Sequence, residues 1–139
     1  MVGLLEEAVM YAIKRPDTAF SLDPSNKAQK RIKDDGHLAF IRTLPSVISG
    51  EFGCEACHVR YGDPRYRKKH TGGQQKPDDA WTVPLTPAEH RDQHANPPEQ
   101  DWWDRHGIDP LWLCLKLYAA TGDRDAALKA ILEARKART

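Results

Sequence analysis

Apolar positions fall at helical spacing in the first stretch of the chain, at Leu4, Leu5, Ala8, Val9, Ala12 and Ile13, with acids early and Lys14 and Arg15 late. This spacing predicts an amphipathic helix over 4–14, stopped before Pro16. From Pro16 to Lys33 the pattern turns polar around Asp23-Pro24-Ser25-Asn26, which reads as a connector with no site of its own. Asp34 or Asp35 then caps a helix running to Leu44, with Leu38, Phe40 and Ile41 inward, and Pro45 ends it. Ser46 to Gly53 reads as a short strand and turn, Cys54 to Tyr61 as a second strand, and Trp81 to Leu85 as a third. The stretch from Gly62 to Pro77 is too long for a hairpin turn, the length at which loops tend to be functional.

After the strands the pattern is helical to the end. Thr86-Pro87-Ala88-Glu89 is a capping box with proline in the first turn, so a helix begins there and stops before Asn96-Pro97-Pro98. A second helix follows over Pro98 to His106, carrying Trp102 and Trp103 and closed by Gly107. Asp109-Pro110 opens a third, to Thr121, and Asp123 caps a last one with Ala126, Ala127, Ala130, Ile131 and Ala134 on one face. The expectation is an α+β fold in three parts: an N-terminal helix and connector over 1–33, a strand-strand-helix core over 34–97, and a helical extension over 98–139. Trp81, Trp102, Trp103 and Trp112 read as packing residues, and Cys114, inside Leu111-Trp112-Leu113-Cys114-Leu115, as a core residue.

Composition changes this picture little. With 40% hydrophobic and 29% charged residues the chain is that of a soluble globular protein, and no apolar run is long enough to span a membrane. Acids near the N-terminus argue against a secretory signal, so the expected location is cytoplasmic. Three cysteines argue against a disulfide framework. Net charge is only +1, yet its distribution is uneven. Arg60, Arg65, Arg67, Lys68, Lys69, His70 and Lys76 face the single acid Asp63, with Tyr61 and Tyr66 interleaved. A solvated loop would look the same; a surface that grips phosphate is the alternative.

The chemistry-bearing residues gather between Cys54 and Ala95. His90 and His94, four apart on one helix, share a face and can grip one ion. Cys57 and His58 lie on the strand before the basic loop. In one reading Cys54, Cys57, His90 and His94 hold a structural zinc, although the gap between the pairs far exceeds the roughly 12 to 15 residues of a zinc finger. In the other, His58 is a general base that takes a proton from water aligned on a phosphodiester, beside a divalent ion held by His90, His94 and a third ligand. That reading requires the three imidazoles to converge on one pocket. His37, His70 and His106 read as surface or packing residues. A helical interaction domain without metal is a further alternative.

This series of residues resembles the ββα-metal, treble-clef-like core of HNH endonucleases, with Cys57-His58 on the ligand-plus-base pair and His90 and His94 on the paired helix histidines. Leu44-Pro45, Cys57-His58-Val59-Arg60, Lys76-Pro77-Asp78-Asp79, Val83-Pro84-Leu85, His90-Arg91, His94, Trp103 and Gly107-Ile108-Asp109-Pro110 are most similar to the phage and prophage group called DUF968, related to a RecA-dependent nuclease. The resemblance spans Leu38 to Leu111. It implies a DNA endonuclease that uses one divalent ion, zinc, magnesium or manganese, on single- or double-stranded DNA, alongside recombination or phage DNA-processing proteins. It implies His58 as base, Cys57, His90 and His94 as metal ligands, and Asp78 or Asp79 as an orienting group. Arg60, Arg65, Arg67, Lys68 and Lys69 would hold the backbone. Relatives place zinc-binding residues where this chain has Ser46, Ser49, Thr86 and Glu89, so that zinc is expected to be absent and replaced by local packing. A noncatalytic, zinc-stabilised nucleic-acid-binding module is the runner-up.

Overall fold

A computed structural model describes residues 31–71 and 76–137. The expected helix over 4–14 and most of the polar connector lie outside them. The described residues form an α+β arrangement of a two-stranded antiparallel sheet and five α-helices. None of these helices is long and apolar enough to cross a membrane.

Helix α1 spans Asp35–Arg42, and Asp34 caps it by accepting from the His37 N–H. Its inward face differs from the expected one. Ile41 and His37 are buried, while Leu38 and Phe40 are only partly covered. Pro45 leads into turns over 46–53, where a strand was expected. The reason is Ser46: its hydroxyl accepts from the N–H groups of Ile48 and Ser49, a local closure that competes with extended pairing.

Strand β1, Glu55–His58, pairs antiparallel with strand β2, Thr82–Leu85, in the register Glu55 to Leu85, Ala56 to Pro84, Cys57 to Val83 and His58 to Thr82. Helix α2, Pro87–Ala95, starts immediately after β2. Thr86 accepts from the Glu89 N–H at 3.2 Å and Glu89 accepts from the Thr86 N–H at 2.9 Å, the reciprocal cap that the sequence predicts. Ser46 extends that cap, donating its hydroxyl to the same Glu89 oxygen at 2.6 Å. Burial works to raise the Glu89 pKa, but hydrogen bonds from Ser46, Thr86 and Ser49 outweigh it and hold the carboxyl below its ordinary range. The four positions at which the resemblance places zinc ligands in relatives thus meet here through hydrogen bonds.

Helices α3 (Glu99–His106), α4 (Pro110–Ala119) and α5 (Arg124–Lys136) complete the described chain. Gly107 closes α3 in the left-handed conformation that favours glycine, and Asp109 and Asp123 cap α4 and α5. One core joins Ile41 and Leu44 to Val83 and Leu85 of the hairpin, Trp103 of α3, Leu111, Cys114 and Leu117 of α4, and Ile131 of α5. Burial on this scale around a short hairpin fixes its register, because a slip of one residue would turn Cys57 and Val83 out of the core.

Candidate functional site

Neighbouring residues of a strand point to opposite faces, and this decides where the chemistry sits. On one face of β1, Glu55 accepts from Nδ1 of His90 at 2.8 Å, and the Cys57 thiol lies 3.8 Å from Oε1 of Gln93 on α2. His58, one residue on, turns to the other face. Its Nε2 lies 2.9 Å from Oδ1 of Asp79.

The His58 side is heavily built. Asp79 is 1% exposed and receives three donors: His58 Nε2 and an Arg31 guanidinium N–H at 2.6 Å on Oδ1, and the Asp34 N–H at 2.7 Å on Oδ2. Burial works to raise the Asp79 pKa, but these bonds and the Arg31 charge outweigh it and keep the group a carboxylate. A carboxylate only accepts, so Nε2 of His58 carries the proton of the bond and Nδ1 is left with its lone pair. Burial holds His58 below its ordinary 6.5, against the pull of Asp79, with Arg31 and Lys76 pushing the same way. His58 is therefore a neutral imidazole near pH 7, about one-fifth exposed, with its acceptor nitrogen open for a proton. Asp79 is the orienting partner of this ring. Asp78 instead accepts from the Ile32 N–H at 2.8 Å.

The His90 side is more open. Nε2 of His94 lies 3.1 Å from Nε2 of His90, with ring centroids 4.8 Å apart, and Glu55 is half exposed. Two imidazole nitrogens at this separation span about one edge of a tetrahedron whose metal–nitrogen bonds are about 2 Å long. Glu55 on the opposite nitrogen of His90 has the place of the carboxylate that commonly backs a metal-bound histidine. The donor chemistry of this pair fits a divalent ion.

Three expectations change. The three imidazoles do not converge: strand alternation sets His58 on one face of the hairpin and the Glu55-His90-His94 group on the other. Cys57 does not join the pair. Its side chain is fully buried, and burial, with the charges of Glu99 and Glu55, holds the thiol strongly protonated. Cys54 is likewise covered, its pKa pushed up to about 11 by burial first and then by Glu89 and Glu51. Among the described residues no three His, Cys, Asp or Glu side chains are grouped to hold an ion.

The basic loop is also partly spent on its own structure. Lys68 is 6% exposed, donates to the carbonyls of Arg60 and Lys69, and lies over the Trp81 ring. It satisfies backbone oxygens that loop closure buries, so it does not face a phosphate. Gly62 permits that closure, since a Cβ there would come within 2.6 Å of the His70 nitrogen. Arg65 forks onto Asp63 and also approaches Asp109, at 3.5 Å. The Arg60 N–H donates to Glu99. Arg67, Lys69, His70 and Lys76 remain exposed.

Sequence reasoning missed Arg31 and missed Glu55 as the partner of His90; His37, expected at the surface or in packing, is buried. Glu55 was within reach, because it alternates with Cys57 on the strand face that meets α2. Arg31 and His37 make their contacts 48 and 84 residues away, beyond any local pattern. No family model, curated protein or solved structure matches the chain.

Proposed function

We propose that the chain is a metal-dependent DNA endonuclease of the HNH type, hydrolysing phosphodiester bonds, with His58 as the base that activates water. One observation carries this reading: a neutral histidine on a strand, its Nε2 held by a buried carboxylate and its Nδ1 open, beside a strand-strand-helix unit whose helix bears a metal-compatible histidine pair. In this reading Asp79 fixes the tautomer, so that Nδ1 always presents its lone pair to water. The one-pocket arrangement is not part of this reading: His90 and His94 would hold an ion on the other face of the hairpin, steadying the helix, and the ion that supplies charge stabilisation at the phosphate would arrive with the DNA on the His58 face. Arg67, Lys69 and Lys76 offer charge to the flanking DNA backbone, largely without reading sequence. Phage or prophage DNA processing is the setting to which the resemblance points.

The separation of His58 from the histidine pair across the hairpin favours a second reading, a noncatalytic nucleic-acid-binding module in which both groups are structural. Plasmid and single-stranded DNA incubated with magnesium, manganese or zinc separate the two. The nuclease cleaves with at least one ion, and His58→Ala lowers the rate by about 10²- to 10⁴-fold while the fold persists. DNA retarded on a gel but left intact with every ion, equally by both proteins, is the outcome that supports the binding module.

A further inference from the structure

Residues 31–34 lie beside the two aspartates that precede β2 and are tied to them by four hydrogen bonds. The Ile32 N–H donates to Asp78 Oδ1, the Asp79 N–H donates to the Ile32 carbonyl at 3.0 Å, the Asp34 N–H donates to Asp79 Oδ2, and Arg31 donates to Asp79 Oδ1. Arg31 and His58 share that last oxygen. From Arg31, 26% exposed, the 2.6 Å bond is the shorter of the two.

A carboxylate held only by one backbone N–H can rotate about its Cβ–Cγ bond, and its preferred imidazole partner then loses a fixed acceptor. A guanidinium on the same oxygen removes that freedom and adds a charge-assisted bond. It also disfavours a second positive charge on the neighbouring ring, and so favours the neutral imidazole. The stretch before α1 therefore governs which nitrogen of His58 is free.

We infer that Arg31 is a positioning residue for His58: through Asp79 it locks the imidazole in the Nε2–H tautomer and keeps Nδ1 as the acceptor. The catalytic consequence rests on the reading of His58 as a base, whereas the tautomer does not. Two measurements on the intact chain therefore separate the claims. Long-range nitrogen–proton correlation spectra of the histidine rings at pH 7.5 report the tautomer. Steady-state cleavage of plasmid DNA with the active ion reports kcat and KM.

The wild type is expected to show a single Nε2–H species at His58. Arg31→Ala is expected to add the Nδ1–H form and to lower kcat about tenfold, with KM changed less than about twofold. Arg31→Lys, which returns a donor and a charge, is expected to restore most of both, and this rescue distinguishes positioning from simple unfolding. A wild-type tautomer and wild-type kcat in Arg31→Ala would overturn the inference. So would a loss confined to KM, which would make Arg31 a contact to the DNA backbone. If no ion supports cleavage by the wild type, the nuclease reading fails on its own, and the ring spectra alone decide the role of Arg31.

Discussion

Two histidine groups flank one short hairpin, and they are built to different standards. On one face Asp79 is enclosed and receives three donors, two of them from a segment 45 to 48 residues away in sequence. On the other, His90 and His94 lie along an open helix edge, backed by the half-exposed Glu55. The buried network is over-determined and holds its geometry without a ligand. The open pair is joined by a bond that an ion could replace. The hardest test of this contrast is Asp79→Ala, which strands the donors of Arg31, His58 and Asp34 and is expected to cost about 3 kcal/mol in urea unfolding at pH 7. Glu55→Ala should stay within about 0.5 kcal/mol of wild type. Equal losses from the two would break the contrast.

A second difference is in acid sensitivity, and it belongs to the buried side. His37 is fully enclosed, its Nδ1 at 2.7 Å from the Thr121 hydroxyl and its Nε2 without a partner. Thr121 donates its own proton to the Tyr118 carbonyl, so Nδ1 carries the hydrogen and Nε2 is a buried lone pair. Burial lowers the His37 pKa from 6.5, partly opposed by the charges of Asp34 and Asp79. The folded chain then takes up the proton less readily than the unfolded one. The stabilisation is complete above about pH 6.5 and is lost as the pH falls from there toward the depressed folded-state value. His58 shifts in the same direction. Melting followed from pH 7.5 to 5 should fall with pH, and His37→Gln should remove up to about 1.4 kcal/mol per pH unit of that slope. An unchanged slope in the variant would place the acid sensitivity elsewhere.

Much of the frame was legible because it is local. The capping box at Thr86, the aspartate caps at Asp34, Asp109 and Asp123, the glycine that closes α3 and the two strands all follow from residues within a few positions of one another. Trp102, Trp103 and Cys114 are in the core as their patterns predict. That the three histidines fail to converge was not legible, because spacing along a chain does not say which face of a strand meets the next helix. Cys57 and Val83 fill the core toward α2 and α4, which leaves His58 the opposite face. Lys68 misled for a related reason: its charge reads as a ligand for phosphate, but two carbonyls of its own loop claim it first. Asp79 could be named as an orienting group from sequence, whereas its other partner, Arg31, could not.

The smallest expected change in stability tests the open pair, and it carries the metal question. Replacing both His90 and His94 with alanine removes two partly or fully exposed side chains from a helix that the Thr86 box and the buried Gln93 already anchor. The cost without added ions should be within about 0.5 kcal/mol. The informative measurement is the melting temperature with and without zinc or manganese. An ion that binds the folded chain alone stabilises it by about 1.4 kcal/mol at ten times its dissociation constant, so the wild type should melt several degrees higher with the ion, and the double variant should not. Glu55→Ala should give a smaller response at the same ion concentration, because His90 loses the acceptor that keeps its Nε2 free. If ions raise the melting temperature of the double variant as much as that of the wild type, the metal lies elsewhere in the chain. His90 and His94 would then be two imidazoles hydrogen-bonded to each other at the surface, and their face of the hairpin would hold no ion.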